Sequence, residues 1–177
     1  MNISFNWLKE FLNIDIEIEK VSEILTDIGL EVEGIDEYQE IKGSLEGLLT
    51  GKVISCVKHP NADRLKLTTV DIGEESLLQI VCGAPNVESG QHVIVATIGT
   101  ILHPLNSDEF KINKSKIRGE LSQGMICAED EIGIGESHEG IIVLDKKYKP
   151  GTKVSKIIEN YKDFIFNIGL TPNRSDA

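Results

Sequence analysis

The sequence predicts an α+β chain in which a small split α/β domain carries an inserted all-β barrel. Three observations predict it. Helical periodicity marks the first thirty residues, short strand-like segments recur from about residue 48 to residue 145, and a brief helix-and-strand pattern closes the chain. Neither end can bury a core alone, because chains near about 40 residues seldom fold without help. The economical arrangement has residues 1–40 and 151–177 folding together, with residues 41–150 inserted between two nearby surface points.

Ser4 opens the chain as an N-cap, and Trp7, Leu8, Phe11 and Leu12 follow at helical spacing as one apolar face. A second stripe of Ile18, Val21, Leu25 and Ile28 ends at Gly29 in the manner of a left-handed C-terminal cap. LEVEGIDEY at 30–38 then alternates as a strand. Beyond it, GKVISCVKH, RLKLTTVDIG, SLLQIVCG, HVIVATIG, FKINKSKIRG and GIIVLD read as barrel strands, separated by turns such as Gly83-Ala84-Pro85-Asn86. After Lys149-Pro150-Gly151, VSKIIENY reads as a short helix and DFIFNIGLT as a strand.

At 177 residues and 40% hydrophobic content the chain can build a real core. No apolar run approaches the roughly 20 residues needed to span a bilayer, and MNISFNWLKEF lacks a signal-peptide pattern, so no membrane role and a cytoplasmic location are expected. Cys56, Cys82 and Cys127 are odd in number and set among apolar residues, which fits reduced core thiols. The four histidines lack metal-ligand spacing, and GIGESH at 133–138 lacks the third glycine of a dinucleotide loop. No nucleophile-base pair is legible, so no catalytic residue, metal or cofactor is expected in this chain.

The net charge of −11 argues against a strong autonomous phosphate-binding site, yet its distribution matters. Residues 1–40 hold 2 lysines against 11 acidic groups, while residues 41–150 hold 12 basic and 15 acidic groups. The cations of the middle are clustered. Lys114, Lys116 and Arg118 are two apart, so an extended strand would put them on one face. Such a row suits a phosphate backbone; it also suits the blunting of an exposed strand edge. Arg64 and Lys66, in HPNADRLKL, extend the cationic surface, whereas Asn61 and Asp63 beside them are natural turn formers. Aromatic stacking platforms are scarce near the barrel: Tyr38, Phe110 and Tyr148. Recognition by backbone and shape is expected rather than base stacking.

Three blocks, HPNADRLKLTTVDIG at 59–73, QIVCGAPNV at 79–87 and KIRGELSQGMICAEDEIG at 116–133, together resemble the tRNA-binding oligonucleotide-binding (OB) fold module. With MNISFNWLKEFLNI, ILTDIGLEVEGID and LTPNRSDA in the flanks, the whole chain is similar to the start of the bacterial phenylalanyl-tRNA synthetase beta chain. The resemblance implies an OB barrel inserted in a split N-terminal domain. It adds Ser122, Gln123 and Met125 as RNA contacts, though Met125 and Leu121 fit a core equally well. It implies tRNA(Phe) and an alpha subunit in an α2β2 heterotetramer as partners. ATP- and magnesium-dependent phenylalanine activation would occur on the alpha chain, and hydrolysis of mischarged tRNA in beta-chain regions beyond residue 177. The competing expectation is a protein-interaction module with only incidental RNA contact.

Overall fold

The computed structural model describes residues 1–170, except for the side chain of Ser44. In chain order the elements are β1 (Asn2–Ser4), α1 (Phe5–Phe11), α2 (Ile18–Asp27), β2 (Val32–Gln39), β3 (Leu48–His59), β4 (Ala62–Asp71), β5 (Leu78–Cys82), β6 (His92–Thr97), β7 (Ile101–Leu102), β8 (Phe110–Lys111), β9 (Ser115–Ile117), β10 (Glu120–Ser122), β11 (Gly124–Ile126) and β12 (Lys162–Ile168). They form two compact units. One comprises Met1–Glu40 with the stretch from Tyr161 onward, and the other is Ile41–Asn160.

In the first unit β12 is the central strand of an antiparallel sheet of order β1-β12-β2. Phe5, Val21, Phe166 and Ile168 form its core, with Phe5 and Phe166 edge to face at 5.9 Å between centroids. Ser4 caps α1 by accepting from Trp7 N, as its position before the apolar run predicts. The second donor of that helix end is satisfied from far away in sequence, because Asn6 N donates to Asp163 Oδ1 at 2.9 Å. Helix α2 ends with Gly29 at φ 96°, where Gly29 N reaches Thr26 O and Leu30 N reaches Leu25 O. That pair of bonds needs a left-handed residue, which glycine adopts without penalty.

The apolar face expected on α1 divides differently. Leu8 packs on the core beside buried Phe5, whereas Trp7, Phe11 and Leu12 are exposed. Phe5 supplies the burial because it sits at the first helical position, over β12. Ile28 at the end of α2 is also exposed, while Ile18, Val21 and Leu25 face inward.

The second unit is a nearly closed five-stranded antiparallel sheet of order β11-β6-β3-β4-β5, an OB-type barrel. Strand β6 shows how its core is divided. Val93 and Val95 enter one apolar cluster with Val53, Val70 and Ile80, while Ile94 and Ala96 enter another with Leu48, Leu102 and Val154. A strand buried on both faces therefore reads as a continuous apolar run. Closure between β5 and the β10–β11 segment comes from polar side chains as well as backbone: Gln123 N donates to Gln79 O at 2.8 Å, Gln79 Nε2 to Leu121 O at 2.9 Å and Val81 N to Ser122 Oγ at 3.2 Å.

Three expectations change here. FKINKSKIRG breaks into the short strands β8 and β9, and GIIVLD makes only an isolated bridge, Val93 with Val143. VSKIIENY forms just a 3-10 turn at Val154–Lys156, whose Val154 is fully buried in the barrel's core. The barrel unit therefore runs to Asn160 rather than residue 150. Asn160 ties its two ends, accepting from Ile41 N and donating to Ile41 O, both at 2.9 Å. Residues 171–177, most of LTPNRSDA, lie outside the described residues.

Candidate nucleic-acid interface

The end of β3, the start of β4 and the end of β5 lie at one end of the barrel, because Lys66 pairs with both Lys58 and Cys82. The β9–β10 hairpin is fastened to this end by the His59-Pro60-Asn61 turn. His59 is buried; its Nδ1 accepts from Asn61 N at 3.0 Å, which leaves Nε2 to donate to Ile117 O at 3.1 Å. These two bonds assign Nδ1 as acceptor and Nε2 as donor. Asn61 Nδ2 then donates to Arg118 O at 3.2 Å, so two sequence-distant turns are locked tip to tip.

Ile117 pairs with Glu120, leaving Arg118 and Gly119 as a two-residue hairpin loop with φ 50° and 102°. Both central residues of such a turn need positive φ, a condition met best by Asn-Gly and costly for arginine. Arg118 is thus held at the tip in a conformation its side chain disfavours. The one-face row expected of Lys114, Lys116 and Arg118 is accordingly interrupted: Lys116 alone is in β9, Lys114 precedes it and Arg118 occupies the turn. All three are exposed, as is Arg64, which sits where the β3–β4 register jumps between Lys58–Lys66 and His59–Ala62. None of the four has an acidic partner at ion-pair distance among the described residues.

Lys66 departs from expectation. It is half-buried, and its ammonium donates to Pro85 O at 3.0 Å and Val87 O at 2.8 Å, satisfying loop carbonyls instead of presenting charge outward. Ser122 is buried as well, accepting from Val81 N and donating to Gly124 O, and so belongs to the barrel closure. Gln123 bridges to Gln79 in that same closure, and Met125 packs against the core. Polar residues in a strand-rich segment carry no sign in the sequence of which face they will occupy once a barrel closes. Lys58, exposed and directly opposite Lys66, is a cation at this end that the sequence reading passed over. Its place just before the HPN turn was the available signal.

Near the other side of β11, Glu131 is half-buried and burial pushes its carboxyl up, although Ala128 N donates to Oε2 at 2.7 Å. His138 is held by Asp130 at 2.9 Å, and that bond raises the imidazole's proton affinity. Cys82 and Cys127 are buried thiols pushed up by desolvation, in keeping with unreactive core residues. Among the described residues no cluster of histidine, cysteine and carboxylate could hold a metal, and no helix is long and apolar enough to cross a membrane.

The model of the family described as "Putative tRNA binding domain" matches residues 48–153, the barrel and its closure. The chain belongs to this family. Over its whole length it is 56% identical to the phenylalanine--tRNA ligase beta subunit of Bacteroides fragilis and 48% identical to that of Porphyromonas gingivalis, covering 22% of each. The chain therefore spans about a fifth of the length of these curated relatives. A MetRS related protein from Pyrococcus horikoshii aligns in structure at a TM-score of 0.43 and 21% identity, over 60% of this chain and 86% of that one.

Proposed function

We propose that this chain is the tRNA-contacting and assembly region of a phenylalanine--tRNA ligase beta subunit, acting in the cytoplasm. In this reading it helps hold tRNA(Phe) while an alpha subunit, in an α2β2 enzyme, attaches phenylalanine using ATP and magnesium. The observation that carries it is the strained Arg118 at a braced hairpin tip, with Lys114, Lys116 and Arg64 exposed and without an acidic partner at ion-pair distance among the described residues. Backbone strain kept at a surface tip is more economically explained by a contact than by stability. The identity to the relatives' beta subunits supplies the parent enzyme.

Titration of labelled tRNA at two salt concentrations tests this. Three phosphate contacts give a log-affinity slope against log salt of roughly −2 to −3. The triple alanine variant at Lys114, Lys116 and Arg118 is expected to flatten that slope to near zero; equal binding by variant and wild type would discard the proposed surface.

One observation favours a second reading, a protein-interaction module with incidental RNA contact. Trp7 and Phe11 stack edge to face at 5.0 Å between centroids and both are exposed, as is Leu12, an apolar patch within the net-acidic first forty residues. On that reading Trp7→Ala weakens association with the alpha subunit while the triple variant changes nothing.

A further inference from the structure

The barrel seam that Ser122 and Gln123 zip together opens beyond them into a cavity of about 420 Å³. That size lies within the usual range for small-ligand sites. One wall is the end of β5 and its loop through Pro85; the other is Met125, Ile126 and Ala128 with Ile141. Both walls are braced. Lys66 holds the Pro85 and Val87 carbonyls, and Asn86 clasps Ile141 through two bonds of 2.9 Å, one to its N–H and one to its carbonyl. The cavity is thus preformed, at the β5 end where Arg64 and Arg118 also lie.

Backbone groups contribute much of its polar lining, and the two ionisable side chains that join them, besides the Cys82 thiol, are Glu131 and His138. Glu131 lines the cavity with a half-buried carboxylate that accepts a single backbone N–H and has no cation at ion-pair distance among the described residues. An ionised carboxylate is acceptor-only, so its remaining lone pairs call for N–H donors. At the exposed side stands His138, whose ring is anchored through Nδ1 to Asp130 and leaves its flat faces open. Walls that carry apolar side chains such as Val81, Met125 and Ile126, one stacking ring and one bidentate acceptor match a flat heterocycle with two adjacent N–H donors. Among the standard bases guanine alone offers that pair on its pairing edge.

We infer that this cavity receives a single unstacked guanine base, held by Glu131 along its donor edge and covered by His138. The inference rests on the RNA-binding reading above and names a base preference that cations alone cannot give, since phosphate contacts carry no sequence information. Recognition of splayed-out bases by stacking and edge bonds is the usual route to sequence preference in RNA. The scarcity of exposed aromatic residues on the barrel, where Phe110 is one, is then less limiting, because a single slot replaces a stacking surface.

The test uses GMP, AMP, CMP and UMP as probes, titrated into the isotope-labelled chain while the amide signals of Gly83, Ala128, Glu131 and Gly140 are followed. GMP is expected to shift these signals saturably and at least about tenfold more tightly than the other three, in line with the discrimination of one bidentate contact. Glu131→Gln keeps an acceptor for Ala128 N–H but presents a donor to the base. It should abolish the GMP preference with the remaining spectrum unchanged. His138→Ala should weaken binding of every base that enters, by about fivefold or more. Equal affinity for all four nucleotides, or shifts confined to other residues, overturns the inference. Shifts produced only by N-acetylarginine amide overturn it in favour of a protein side chain as occupant. If GMP selectivity is absent while the triple alanine variant still loses tRNA, the cavity assignment fails alone; selective GMP binding without any tRNA affinity would instead sink the broader function.

Discussion

The two units secure their non-local strands with opposite kinds of buried polar group. In the first, one carboxylate does it: Asp163 accepts from Ser4 Oγ, Asn6 N, Tyr161 Oη and Phe164 N, joining β1, α1 and β12. In the barrel, neutral groups do it, with Ser122 and Gln123 bonding to β5. A charge with several donors gives strong, acid-sensitive bracing, whereas neutral amide and hydroxyl bonds are weaker and indifferent to pH. The polar residues that hold each unit together face inward, whereas Arg64, Lys114, Lys116 and Arg118 are exposed on the barrel without an acidic partner at ion-pair distance among the described residues.

The largest effect is expected at Asp163. Replacement by alanine strands four donors, each worth about 1–3 kcal/mol if left unmet, so a net loss near 3 kcal/mol is expected after relaxation. Amide exchange over residues 2–39 and 162–168 should rise accordingly, and an unchanged exchange pattern would show that the capping network is dispensable. The pH dependence has a definite sign. Burial alone would raise this carboxyl, but the four hydrogen bonds outweigh it and hold it below its usual value of 3.8. The stabilisation is therefore present in full above about pH 4 and is lost as the pH falls through the lowered value. Glu131 in the barrel is raised by burial, so its ionisation opposes folding and acid relieves it. An acid titration of both units is expected to loosen the first before the second, and Asp163→Asn should remove the acid step of the first.

Ser122 comes next. Alanine there leaves Val81 N–H without its acceptor at the seam, at an expected cost of about 1–2 kcal/mol by urea denaturation. The salt slope for tRNA should remain that of the wild type. A lower tRNA affinity at every salt concentration with intact stability would return Ser122 to the RNA-contact role that the sequence resemblance gave it.

Much of this arrangement was legible in the sequence, and the parts that were not share a cause. Ser4 and Gly29 declare helix ends through local chemistry, so they read correctly. The apolar run HVIVATIG reads as a strand, and His92–Thr97 forms one. What the sequence concealed depends on closure. Ser122 and Lys66 look like surface polar residues until β10 meets β5 and the 83–87 loop folds over Lys66. The end of β9 at Ile117 was similarly hidden, because Arg118 takes a positive φ that its residue type does not announce. Only the later clasp from His59 and Asn61 makes that conformation hold.

The smallest stability effect is the sharpest on function. Arg118→Asn places the preferred residue in a turn that demands positive φ at both centres, and should stabilise the barrel by about 1 kcal/mol. It also removes one cation from the tip, so the magnitude of the tRNA salt slope should fall by roughly 1. Charge-blunting of a strand edge predicts a different pair of results. If Arg118 serves only to guard the β9–β10 hairpin, the asparagine variant gains stability, keeps the salt slope and associates more readily at high concentration. Thermal denaturation, tRNA titration and sedimentation on this one variant therefore separate the two roles. A gain in stability coupled to a loss in affinity would show that the strain at residue 118 is maintained for the contact it presents.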